Sequence, residues 1–138
     1  MPNLDIRSLV DDARDRIVGF AQRAIQTPSL SGNEKRMADL VQGELQSLGF
    51  HDVQIDEAGN VLVKLPGGSG PSTLLHAHMD IVDPGDGSRW SHPPFAGDIA
   101  EGYLWGRGSS DTKGSVVAQV YALGLLREAG LEPAGDAY

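Results

Sequence analysis

Apolar residues recur at helical spacing in the first stretch of the chain, where Ile6, Leu9, Val10, Ala13, Ile17, Phe20, Ala21, Ala24 and Ile25 stand between charged positions. That period predicts one amphipathic helix over 6–25, stopped ahead of Pro28, whose ring cannot continue a helix. Ser31-Gly32-Asn33-Glu34 has the form of a capping box, in which a hydroxyl and a carboxylate each satisfy a free backbone donor. A second helix is expected from there to about Leu48, burying Met37, Leu40, Val41, Leu45 and Leu48 and ending at Gly49.

The period then changes to two. Val53 and Ile55 alternate with polar residues, Ala58-Gly59-Asn60 reads as a turn, and 61–65 is again extended, which predicts a strand pair. Gly67-Gly68-Ser69-Gly70-Pro71 is expected to be a flexible surface loop. Thr73–Met79 reads as a strand in the interior of a sheet, leaving into a loop over 82–97 that is rich in Asp, Pro and Gly. Residues 98–105 predict a small hairpin around Glu101-Gly102. From about Gly114 to Ala129 apolar residues occupy most of the circumference, the mark of a helix buried on more than one side. Beyond Gly130 the pattern calls for another strand. Helix and strand segments alternate, so the fold class is α/β.

With 138 residues, the chain fits one domain, and a chain of about 150 residues buries about 70% of its unfolded surface. A formal charge of -8 argues against nucleic-acid partners, which require clustered Lys and Arg. There is no cysteine, so disulfides and thiolate metal sites are excluded and any metal must be held by His and carboxylates. The amino terminus has no basic stretch followed by an apolar one, and no segment is apolar over about 18 residues, so neither signal peptide nor membrane span is visible. A cytoplasmic protein is the expectation.

Two segments carry candidate chemistry. In a strand, successive side chains alternate faces, so His76, His78 and Asp80 point the same way. A His with a carboxylate two residues on suits a metal ligand with its orienting partner, although by spacing alone such a pattern more often marks a polar strand end. Asp111 closes a Gly-rich turn feeding a helix. Its two oxygens are able to bridge two cations about 3.5–4 Å apart, or simply to cap the helix. Gly106, Gly108 and Gly114 hint at a phosphate loop, but no Lys-Ser/Thr pair follows in the required place.

The ordered series His78-Met-Asp80-Ile-Val, Trp90, Pro94-Phe95, Gly97, Gly102-Tyr103-Leu104-Trp105-Gly106-Arg107-Gly108 and Asp111-Thr112-Lys113-Gly114 resembles the di-zinc aminoacylase and carboxypeptidase-type metallopeptidases, which include acetylornithine deacetylase and succinyl-diaminopimelate desuccinylase. Ser31-Gly32-x-Glu34 and the turn over 56–60 sit where that family has them, so the resemblance covers nearly the whole chain. It implies the amino-terminal part of a three-layer α/β/α zinc-peptidase-like catalytic domain, over residues 1–138. His78 would bind one zinc, Asp80 would be the nearby carboxylate that tunes this His, and Asp111 would bridge two zinc ions, with cobalt or manganese as alternatives. A cis peptide at Asp111-Thr112 is also implied. Arg107 and Lys113 would brace the loop, His76 would be a packed or hydrogen-bonded histidine, and Asp83, Asp86, Asp98 and Glu101 would form a solvated acidic loop. His92 falls near a substrate entrance. Ala77 departs from the glycine common before the metal His.

The resemblance further implies hydrolysis of an amide bond in a peptide or N-acyl amino acid through a zinc-activated water, with neither nucleic acid nor membrane as a partner and a homodimer as the complete protein. The family's general-base Glu, its remaining ligands and its inserted dimerisation domain have no counterpart in these 138 residues. The chain alone is therefore expected to be inactive, to hold metal weakly, and to expose an unpaired strand edge and apolar helix surface. The alternative is a non-catalytic metal- or ligand-binding protein of the same fold.

Overall fold

The computed structural model describes residues 5–138. The first helix forms in two segments, α1 (Ile6–Asp12) and α2 (Arg14–Ile25), with Ala13 between them. Backbone bonds from Ala13 N to Leu9 O (3.2 Å) and from Ile17 N to Ala13 O (3.0 Å) cross the junction, so the helical period survives it. Next, α3 (Lys35–Ser47) buries Met37, Ala38, Val41 and Leu45 as its stripe requires. The capping box does not form. Glu34 reaches only to the Gly32 amide at 2.7 Å, and the Ser31 hydroxyl is bonded to Asp80 instead, because Leu30 pairs in parallel with Ile81 and brings the two side chains together.

Two antiparallel pairs follow the period-two pattern. In the first, β1 (Val53–Ile55) lies against β2 (Val61–Val63), and the Asp56 carboxylate closes the turn by accepting from the Ala58 and Asn60 amides at 2.9 and 2.8 Å. The second joins β3 (Ile99–Ala100) to β4 (Tyr103–Leu104). Its turn residues Glu101 and Gly102 have φ of 55° and 81°, the pair of positive angles that matches strand twist in a two-residue hairpin.

Thr73–Met79 is extended but is not the interior strand expected. Alternation is intact: Leu75, Ala77 and Met79 pack on the core, whereas Leu74, His76 and His78 are exposed. Its only ladder-like partners among the described residues are at its start, where Thr73 N donates to Asp136 O, Tyr138 N to Thr73 O and Leu75 N to Tyr138 O. A period of two fixes which face a side chain takes and says nothing about which neighbour supplies the hydrogen bonds. The segment expected after Gly130 does supply this pairing, with Ala137 bridging antiparallel to Leu65 and parallel to Thr73.

The same return of the chain corrects the reading of 67–71 as a flexible loop. Gly68 N donates to Pro133 O (3.0 Å), Gly70 N to Ala134 O (2.7 Å), and Gly67 N to the Asp136 carboxylate (3.0 Å), which also pairs with Lys64. The backbones approach so closely that a methyl group on Gly135 would collide with the carbonyls of Gly70 and Pro71. Gly135→Ala is therefore expected to lower stability by about 1–3 kcal/mol, the usual range for overpacking. Urea denaturation of the two chains checks it, and an unchanged midpoint would show that the contact relaxes freely.

α4 (Gly114–Glu128) completes the core: Val116, Val117, Val120, Tyr121, Leu123 and Leu125 are buried against α2 and α3. The exposed apolar helix surface expected from the sequence lies on another helix than this one. Apolar exposure falls instead on α1, through Ile6 and Val10, and on the extended segments, through Ile55, Leu62, Leu74 and Tyr138. The architecture is α/β, with α2, α3 and α4 around one core and the extended segment 73–81 carrying its polar face outward.

Candidate functional site

Asp80 and Asp111 both reach His78, across two and 33 positions of sequence respectively. His78 projects from the exposed face of 73–81. Its Nδ1 lies 3.0 Å from Asp80 Oδ1 and 3.2 Å from the Asp80 carbonyl, and its Nε2 lies 3.0 Å from Asp111 Oδ1. The imidazole is thus held on one nitrogen by Asp80 and faces Asp111 with the other.

Asp111 arrives there on a turn that two features shape. Gly108 adopts φ 85°, and a Cβ there would strike the Ile81 side chain, so the chain can make this turn close to 81 only with glycine. The next residues wind as Ser109–Lys113 into α4, but Asp111 (φ -131°, ψ 95°) and Thr112 (φ -139°, ψ 25°) keep non-helical angles within that turn, and the peptide bond between them is cis, as the family resemblance implies. The helix-cap alternative for Asp111 is excluded, since no side chain caps α4. Below the turn, Lys113 is buried, with its ammonium donating to Ala24 O at 2.8 Å and Thr27 O at 2.6 Å, beside the carboxyl end of α2. It braces the loop. Arg107 also braces: its guanidinium lies over the Trp90 ring at 4.9 Å, and its Nε is buried without a hydrogen-bond partner.

Charge is distributed asymmetrically around the pair. The Asp80 side chain is 35% exposed and that of Asp111 is 86% exposed. Asp80 sits below the ordinary carboxylate range, chiefly through the Ser31 hydrogen bond and further through His78. Burial acts to lower the His78 pKa, yet hydrogen bonds to the Asp80 backbone and to Asp111, together with both carboxylate charges, outweigh it and raise the value above that of free histidine. A cavity of about 180 Å³ opens beside them, lined by His78, Asp80, Arg107, Ser109 and Asp111.

Other expectations fare unevenly. His76 is exposed rather than packed, and only its backbone carbonyl is engaged, by Gln119. His92 stacks on Trp105 with centroids 4.7 Å apart and pairs with Asp98 at 3.1 Å, so Asp98 is not a free member of an acidic loop. Asp83 and Asp86 do lie on the surface and accept from nearby amides. Spacing arguments missed Ser31 as a neighbour of this site, because its motif pointed to a helix start.

The donor types suit a divalent cation. Zinc bonds of about 2.0–2.2 Å to nitrogen and oxygen put two donors on one tetrahedral ion roughly 3.3 Å apart, and His78 Nε2 and Asp111 Oδ1 are separated by 3.0 Å. Among the described residues no group of three or more such donors comes together. The fit is that of a partial ligand set.

This fold is that of the metallopeptidase catalytic domains. It matches an M20 family metallo-carboxypeptidase of Sulfolobus solfataricus with a TM-score of 0.74 at 20% identity, over 88% of this chain and 29% of that one. Human carnosine dipeptidase 1 matches with a TM-score of 0.71 at 24% identity, over 93% of this chain and 31% of that one. Residues 74–138, which contain His78, Asp80 and Asp111, match the family described as Peptidase family M20/M25/M40. A succinyl-diaminopimelate desuccinylase of Rhodospirillum centenum is 36% identical over 126 residues, covering 86% of this chain and 32% of that protein. The uncharacterized protein YgeY of Escherichia coli K12 is 32% identical over 134 residues, covering 94% and 33%. The chain spans about a third of the length of these relatives. Among the described residues no helix is long and apolar enough to cross a membrane.

Proposed function

We propose that this chain is the amino-terminal part of a metal-dependent hydrolase that cleaves the amide bond of a peptide or an N-acyl amino acid. The observation that carries this reading is the approach of His78 Nε2 to Asp111 Oδ1 at 3.0 Å, from two segments that the family match includes. The names of the relatives support the substrate class: a desuccinylase, a carboxypeptidase and a dipeptidase each act on an amide bond flanked by an amino acid.

In this reading His78 is a ligand of one zinc through Nε2, and Asp111 is the carboxylate shared by two zinc ions. When bound, such a pair supplies a water of lowered pKa and an electrophile for the scissile carbonyl. The protein's own groups do the placing. Asp80 holds Nδ1 and leaves Nε2 free to bind, while Lys113 and the turn from Gly108 fix the backbone from which Asp111 projects. Among the described residues no group of three or more metal-binding side chains forms, and no Glu is bonded to His78 or Asp111, so the isolated chain is expected not to turn over.

The test is enzymatic and uses the product of the complete reading frame, loaded with zinc and offered dipeptides and N-acetyl or N-succinyl amino acids. Release of the free amine is expected, with Asp111→Ala reducing it to the rate seen after chelation. A zinc-loaded wild-type protein inert to the whole panel would favour the non-catalytic binding alternative.

A further inference from the structure

We propose that Ser31 is a positioning residue for the metal-facing nitrogen of His78. The inference rests on the reading of His78 as a ligand, and it concerns what fixes the orientation of that ring.

The chain of contacts is short. Ser31 Oγ donates to Asp80 Oδ2 at 2.5 Å, and Asp80 Oδ1 stands 3.0 Å from His78 Nδ1. Ser31 is delivered by a stretch that is itself pinned. Leu30 pairs with Ile81, Ile81 N donates to Ser29 O at 2.9 Å, and the fully buried Ser29 hydroxyl donates to Met79 O at 2.7 Å. Residues 29–31 thus run beside 79–81 and hold the hydroxyl against one carboxylate oxygen.

A carboxylate with one oxygen tied cannot turn about its own axis without breaking that bond, so Oδ1 stays on Nδ1. Among the described residues no lysine or arginine pairs with Asp80, which leaves His78 and Ser31 as its side-chain partners. Neutral imidazole carries one proton, and two carboxylates compete for it. The Asp80 side faces Nδ1 with two oxygens, Oδ1 and the backbone carbonyl, and the Ser31 bond to Oδ2 holds the first in place, whereas Asp111 faces Nε2 with one oxygen of a side chain that is 86% exposed. The proton therefore resides on Nδ1, and the Nε2 lone pair points where a cation would sit. Ser31 acts through Asp80. It touches neither metal nor substrate.

The experiment measures the imidazole nitrogen-15 shifts of His78 in the metal-free 138-residue chain, above the pH at which the ring titrates, and then during titration with zinc chloride. Wild type and Ser31→Thr, which keeps the hydroxyl, are expected to show the Nδ1-protonated tautomer in majority. Ser31→Ala is expected to move towards an even mixture and to bind zinc about tenfold more weakly, the lower end of what losing such an outer partner does. Ser31 is exposed, so its truncation leaves no cavity and the urea midpoint is expected to stay put. An Ala variant with wild-type shifts and wild-type zinc affinity overturns the inference. A Thr variant that behaves like Ala does so as well. If the tautomer follows Ser31 but zinc leaves His78 unperturbed in wild type, the orientation by Ser31 holds and the metal reading alone falls.

Discussion

Replacing Lys113 with alanine is expected to lower the unfolding free energy by about 2–4 kcal/mol, through the cavity left by a long side chain and the loss of two buried hydrogen bonds. The residue is 1% exposed, and its ammonium has no carboxylate partner; it donates only to the carbonyls of Ala24 and Thr27. A cation beside the last turn of α2 benefits from the helix dipole. Desolvation nonetheless dominates and pulls the Lys113 pKa from 10.5 to about 8. The unfolded chain therefore binds a proton at this residue that the folded chain has released between about pH 8 and the unfolded value. Stability rises with pH over that window, by at most about 1.4 kcal/mol per unit, and Lys113 adds no pH dependence below it. Tyr121 acts in the opposite sense at higher pH. Burial, and then its hydrogen bond to Glu44 at 2.6 Å, raise its pKa. The folded state keeps a phenolic proton that the unfolded chain loses above about pH 10, so stability falls beyond that point. Urea denaturation from pH 7 to 11 should trace a rise and then a decline, and Lys113→Met should flatten the rise while Tyr121→Phe flattens the decline. A flat profile between pH 8 and 10 in the wild type contradicts this account of Lys113.

The second large effect concerns zinc itself. His78→Ala and Asp111→Ala are each expected to weaken zinc binding by about 100-fold or more, a loss of about 2.7 kcal/mol, since each removes half of a two-donor set. His76→Ala is the control: it lies two residues from His78 on the same exposed face and outside the His78–Asp111 pair, so its affinity should match wild type. Isothermal titration on the three variants checks this. Equal loss from His76→Ala would mean that zinc is gathered by any surface histidine of this segment.

Much of the fold is legible in residue spacing, because burial periodicity is a local property. The stripe of Met37, Val41 and Leu45 places α3 to within a residue at its end, and Glu101-Gly102 locates the second hairpin. What escapes are contacts between segments far apart in sequence. A run of glycines over 67–70 reads as flexible until Pro133–Asp136 is seen to hold its amides. Ser31 satisfies the capping-box pattern letter by letter, yet a carboxylate 49 residues away takes its hydroxyl.

The site divides along the same line. The placing of His78 and Asp80 on neighbouring parts of one extended segment follows from alternation. The pairing of His78 with Asp111 does not, since an Asp after a Gly-rich turn reads by itself as a helix cap sooner than as a metal ligand. Only the family resemblance brought the two together in advance, and the 3.0 Å approach now stands on geometry. Lys113 illustrates the converse: its brace was implied by resemblance, but its lowered pKa comes from burial under that turn, which no local pattern announces.

The most direct measurement is anomalous diffraction at the zinc edge from crystals of this chain grown with zinc chloride. An anomalous peak within bonding distance of both His78 Nε2 and an Asp111 carboxylate oxygen is the predicted result. Zinc bound elsewhere on the chain, with His78 and Asp111 still bonded directly to each other, would contradict the claim that these two residues form a metal centre.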